Sequence, residues 1–130
     1  MEHSRTPEGV RLVHRSEGNR AVLATDVETA DSWLRQARGL MFRRTLPPAY
    51  ALVFRFDRVS VRDVHMLFVF TPLDVLWLVD GEVRRVERLA PFRGFARAEC
   101  DTIVELPPGS ADDVTVGDRI TIEERPSGRA

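Results

Sequence analysis

The chain has 130 residues, 43% hydrophobic and 30% charged, with a formal net charge of −1. That length suits one domain whose core holds without a disulfide or metal, and the balanced charge offers no overall field for nucleic acid, a membrane surface or a strongly charged substrate. All 19 basic residues are arginine, which excludes a lysine Schiff base, a P-loop lysine and a lysine general base; the single cysteine, Cys100, excludes an intrachain disulfide and leaves a thiolate zinc site without partners.

Residues 1–9 and 125–130 read as frayed tails around one globular, β-rich domain over 10–124. Val10 to His14 and Arg20 to Thr25 are short strand candidates separated by the turn-type cluster Ser16-Glu17-Gly18-Asn19. A helix is then predicted. Thr25 and Glu28 have capping-box spacing, Val27, Ala30, Trp33 or Leu34, and Ala37 form an apolar stripe, and Gly39 can close the last turn. Leu40, Met41 and Leu46 continue as a packed loop towards Pro47-Pro48.

Beyond the prolines the pattern turns β. Ala51 to Phe56 reads as a strand and Asp57 to Asp63 as an exposed connection with short extended pieces. His65 to Phe70 and Leu73 to Val79 are apolar on both faces, as covered central strands are. Pro72 marks a strand start, Asp80-Gly81 suits a two-residue hairpin turn, and Glu82 to Leu89 is the more polar return strand. Alternation around Thr102, Val104 and Leu106, and again around Ile120 and Ile122 after Gly117-Asp118, predicts two more. The expected fold is mainly β, at the margin of α+β: a twisted β-sandwich or partly closed barrel with one short helix packed on it. No apolar signal segment precedes it, and the run from Val64 to Val79 is interrupted by His65, Pro72 and Asp74. It falls short of the roughly 18–20 apolar residues of a membrane span. A soluble, cytoplasmic protein is expected.

The ordered series Gly39-Leu40-Met41-Phe42-Arg43, Leu46, Leu52-Val53-Phe54-Arg55-Phe56, Met66, Pro72-Leu73-Asp74 and Asp80-Gly81 resembles the domain of unknown function 192 family. Val104-Glu105-Leu106, Pro108-Gly109 and Val116-Gly117-Asp118 are similar to its carboxy-terminal part. The resemblance implies a compact, mainly β domain with a jelly-roll-like arrangement and one short helix, and it implies no reaction or cofactor. One departure stands out. A Trp-Met-Lys-Asn-like stretch of the family is here His65, Met66, Leu67 and Phe68, so a polar pair has become apolar.

Candidate ligand-binding residues are Asp74, His65, Arg43, Phe92, Arg93 and Phe95. Asp74 lies inside an apolar run, where a carboxylate needs a partner, and an arginine or backbone amides are the structural answer. His65 suits proton transfer near neutral pH, Arg43 can grip an anion, and Phe92-Arg93-Gly94-Phe95 puts two aromatics and a guanidinium in one glycine-containing loop. Three scattered histidines give no metal-ligand spacing, and no nucleophile elbow, dinucleotide fingerprint or zinc motif occurs. The basic clusters at Arg84, Arg85 and Arg88 are interleaved with Glu82 and Glu87, as on a solvated face, so no specific nucleic-acid signal is read. The expected function is non-catalytic binding of a small ligand or protein partner, without cofactor, metal or membrane. The alternatives are a small hydrolase-like enzyme using Asp74 and His65 in a cleft, or a self-associating structural protein such as a homodimer.

Overall fold

The computed structural model describes residues 4–5, 9–30 and 46–124. Among the described residues nine strands follow in chain order: β1 (Ser4–Arg5), β2 (Val10–Ser16), β3 (Asn19–Ala24), β4 (Asp26–Ala30), β5 (Tyr50–His65), β6 (Leu73–Val79), β7 (Glu82–Leu89), β8 (Phe95–Leu106) and β9 (Arg119–Glu124). They pair laterally as β1-β4-β5-β8-β6-β7-β9-β2-β3. β4 runs parallel to β5 and the other pairs are antiparallel.

Turn chemistry explains the hairpins. Glu17 and Gly18 (φ 47° and 87°), and Asp80 and Gly81 (φ 50° and 82°), each put two left-handed residues between strands, the geometry whose twist matches a two-residue hairpin. Leu73–Val79 is a strand, as its apolar run predicts, and it is covered by β7 on one side and β8 on the other.

Three sequence expectations are corrected. The helix predicted from Thr25 is absent over Asp26–Ala30, which is strand β4 in parallel register with Tyr50–Phe54. Glu28, expected in a capping box, instead accepts a hydrogen bond from the Tyr50 hydroxyl at 2.7 Å. The remainder of that predicted helix lies outside the described residues. The connection expected over Asp57 to Asp63 belongs to β5, which runs unbroken through a register shift between Arg55 and Ser60. The strand expected over His65 to Phe70 ends at His65, and residues 66–72 form a loop.

Side chains alternate between two cores. Leu52, Phe54, Val75, Trp77 and Ile103 lie in one cluster, Val53, Leu76, Leu78 and Val104 in the other. The Tyr50–Phe54 part of β5, the Leu73–Leu78 part of β6 and the Ile103–Leu106 part of β8 are therefore covered on both faces. On the first face the distal halves of β5 and β8 bend over Trp77, whose Nε1–H donates to Arg62 O at 3.1 Å. Arg85 Nη1 donates to Arg97 O at 2.8 Å beside it. On the second face Leu12, Ala24, Val27, Val83 and Ile120 join the cluster, so the sheet curls towards itself without closing. Among the described residues no helix is long and apolar enough to cross a membrane.

Candidate functional site

His65, the last residue of β5, faces Phe95, the first of β8. Loops 66–72 and 90–94 leave from this end and are laced together through the main chain. Met66 N–H donates to Gly94 O at 3.0 Å, and Phe92 N–H to Met66 O at 3.1 Å and Val69 O at 3.3 Å. Gly94 N–H closes its own loop on Ala90 O at 2.9 Å. Glycine is required there, because a Cβ would meet Leu89 Cβ at 2.7 Å and the Ala90 backbone at 2.8 Å.

Met66 and Val69 turn inward and anchor the first loop in the core. Leu67 (53% exposed), Phe68 (44%), Phe92 (48%) and Phe95 (55%) face outward. Phe68 and Phe92 have φ of 62° and 65°. A left-handed backbone costs an L-residue roughly 1–2 kcal/mol, and for a bulky aromatic it is an outlier. Phe92 meets Phe70 edge-on, with centroids 5.0 Å apart. Exposed Arg93 and Arg97 border the patch, the Arg97 guanidinium lying 5.8 Å from the Phe95 ring centroid. The loop pair thus unites His65, Phe92, Arg93 and Phe95 from the sequence-predicted set. Leu67 and Phe68 had been noticed only as departures from the family pattern. Arg43 lies outside the described residues.

Asp74 is elsewhere and otherwise employed. It opposes Leu106 on β8, whereas His65 opposes Phe95. The hydrogen bonds of Asp74 go to other groups, and among the described residues none joins it to His65. The Asp74 carboxylate is 3% exposed. It accepts the Gly109 and Ala111 N–H groups on Oδ2, both at 2.9 Å, and Arg88 Nε on Oδ1 at 2.8 Å. Arg88 also pairs with Asp112, and bonding to Asp74 raises the guanidinium pKa further. These contacts staple the 107–112 turn to β6 and β7.

Two more titratable groups escaped sequence reasoning. Glu105 lies between Leu52 and Val75 in register on the Trp77 face; burial pushes its carboxyl up to about 8, since low polarity disfavours the charge. Its signal was present: an acid inside Ile103-Val104-Glu105-Leu106. Buried His14 bonds through Nε2 to Asp118 Oδ2 at 2.7 Å. That bond, with the Thr115 N–H, holds the Asp118 carboxyl below its usual range. Buried Cys100 keeps its thiol protonated, burial lifting it to about 11. Among the described residues no three His, Cys, Asp or Glu side chains cluster closely enough to hold a metal ion.

Known proteins resemble this chain in sequence and in fold. A UPF0127 protein of Pyrococcus horikoshii is 34% identical over 103 residues, covering 73% of this chain and 85% of its own. A UPF0127 protein of Thermococcus sibiricus is 27% identical over 116 residues, 86% of this chain and 74% of its own. Two crystal structures share the fold. One, described as a candidate transcription regulator of Sinorhizobium meliloti 1021, has a TM-score of 0.81 at 24% identity and covers 94% of this chain and 96% of that one. The other, a protein of unknown function from Novosphingobium aromaticivorans, has a TM-score of 0.76 at 22% identity, covering 85% and 83%. The family model of DUF192, described as uncharacterized ACR, matches residues 13–122. With that match running from within β2 to within β9, the chain belongs to the DUF192 family.

Proposed function

We propose that this chain is a non-catalytic binding domain that grips a protein partner through loops 66–72 and 90–94. One observation carries the reading: Phe68 and Phe92 both hold a left-handed backbone while their rings face solvent. Strain of that kind concentrates where a fold presents side chains for function. Leu67 and Phe95 extend the apolar area, and Arg93, Arg97 and His65 surround it. Aromatics and arginine are the residue types that dominate binding hot spots. The fitting partner presents an apolar surface rimmed by carboxylates.

The likeness to a candidate regulator of transcription adds nothing to this. The β7 arginines are matched by acids, Arg85 with Glu87 at 3.0 Å and Arg84 with Glu82 at 3.9 Å. DNA binding needs an uncompensated basic stripe.

A photo-crosslinking side chain placed at Leu67 in the native host is expected to label one dominant protein. The Phe92→Ser/Phe95→Ser double variant, folded with an unchanged thermal midpoint, is expected to lose that product. The same labelling pattern in both folded proteins overturns the reading.

A further inference from the structure

Strand β5 is longer than its cover. β4 pairs with it only over Tyr50–Phe54, whereas β8 pairs along its opposite side as far as His65. Among the described residues no strand lies against the other side of Ser60–His65. Residues 66–72 do not close that side, because they lead past β8 to β6. Val59 and Val61 stand 42% and 58% exposed along this stretch.

The ladder fixes which main-chain groups are spare. Met66 N–H reaches across to Gly94 O, and antiparallel pairs alternate between exchanging hydrogen bonds and not. The pairs Val61–Glu99, Asp63–Arg97 and His65–Phe95 are therefore the ones without them. Arg97 O, turned to Arg85 Nη1, fits the same alternation. Val61, Asp63 and His65 thus direct their N–H and C=O groups to the open side, and all three side chains are exposed. Such an edge is a template for another extended chain. Ser60–His65 contains neither the lysine nor the proline that commonly blunts one.

The edge is complementary to itself. In a two-fold antiparallel pairing, an axis at Arg62 or Asp63 sets that residue opposite its own copy, and like charges so placed destabilise. An axis at Val61 draws in the stretch where the register with β8 shifts, and one at His65 runs off the strand end. An axis at Val64 sets Asp63 opposite His65 in both directions, as a pair whose main-chain groups face each other. It also brings exposed Val61 level with exposed Leu67 of the second copy. Asp63 is already held on the outward face, 3.8 Å from Arg97.

We propose that two copies of this chain associate through Ser60–His65, paired antiparallel about a two-fold axis at Val64. The arrangement is isologous, as in most homodimers. So short a ladder buries less than the roughly 1,200 Å² of a stable interface, which makes the dimer weak and dependent on concentration. It does not rest on the loop-mediated binding: Phe92 and Phe95 belong to the flank of β5 that β8 occupies.

Sedimentation from about 10 µM to 1 mM is expected to show the mass rising from monomer towards dimer. Over the same range, amide exchange should slow at Asp63 and His65 and change little at Arg62 and Val64, which bond to β8 in either state. His65→Asp sets two carboxylates opposite each other and is expected to weaken association by about tenfold. The exchanged pair Asp63→His/His65→Asp restores it, both variants keeping the parent thermal midpoint, and Phe92→Ser/Phe95→Ser associates like the parent. Four results each overturn the proposal: a monomer mass throughout, a dimer whose Asp63 and His65 amides exchange as in the monomer, association undiminished in His65→Asp or unrestored in the exchanged pair, or association lost in Phe92→Ser/Phe95→Ser.

Discussion

Asp74 joins an exposed guanidinium to two buried amides, and the amides matter more. Without the carboxylate, the N–H groups of Gly109 and Ala111 lose their acceptor, and an orphaned buried donor keeps its full desolvation cost. Asp74→Ala is expected to cost about 1–3 kcal/mol in urea unfolding. Arg88→Ala should cost less, because half-exposed Arg88 pairs where solvent screens it and Asp74 keeps its two amide donors. Equal losses in the two variants would put the energy in the ion pair instead. Glu105 makes the opposite demand. Its carboxyl holds a proton up to about pH 8 when folded, against an ordinary 4.5, so the native state binds the extra proton between those values. Stability from this group is full below about 4.5, falls as pH rises towards 8, and is flat beyond. Asp118 acts at the acid end: its lowered pKa contributes stability above its ordinary range that is lost as pH falls. Glu105→Gln should therefore melt well above the parent at about pH 9 and nearly with it at about pH 4.5. A constant difference between the two proteins across that interval would show that the carboxyl is not desolvated. The need of Asp74 for a partner was legible from its apolar surroundings; the partners were not, lying 14, 35 and 37 residues away.

Strands announced themselves where side-chain pattern and turn chemistry coincide. Leu73–Val79, Asp80-Gly81 and Glu82–Leu89 satisfy both, and the hairpin stands where the sequence places it. The second half of β5 satisfies neither: Val59 and Val61 are exposed, and Ser60–His65 is upheld by main-chain pairing to β8 that composition does not encode. The 66–70 stretch failed in reverse. Its apolar residues signal burial, yet Met66 and Val69 are buried from a loop, and hydrophobicity alone does not distinguish loop from strand. At Asp26–Ala30 a local helical preference lost to pairing with β5, as weak propensities do against tertiary context. Gly94 is the narrowest point of the loop pair. Gly94→Ala drives a methyl into Leu89 and the Ala90 backbone, and overpacking of this kind costs about 1–3 kcal/mol. The accompanying change should be faster amide exchange at Met66, Phe92 and Gly94, while Val75 and Val104 in the central strands stay protected. Unaltered exchange at those three amides would mean that the loops do not depend on this contact.

On the scale of the molecule, a β-rich fold was foreseeable from the density of short apolar runs and turns, and the ordered motifs pointed to the DUF192 family that residues 13–122 match. The curl was foreseeable only in outline. Two faces of β5, β6 and β8 had to be covered, but which strands cover them depends on long-range order: β9 lies between β7 and β2. The loop pair was half legible, since Phe92, Arg93 and Phe95 are neighbours in sequence, while His65, Leu67 and Phe68 arrive from the end of another strand.

The pairing of β2 with β9 sets Val10 directly opposite Glu124. During synthesis, β2 must wait with one side bare until Arg119–Glu124 leaves the ribosome, so this sheet cannot be completed piecemeal from its amino-terminal side. The same adjacency makes the ring of elements nearly continuous. A short bridge from Glu124 to Val10 would splice them into a hairpin, leaving a circularly permuted chain free to be opened at another turn.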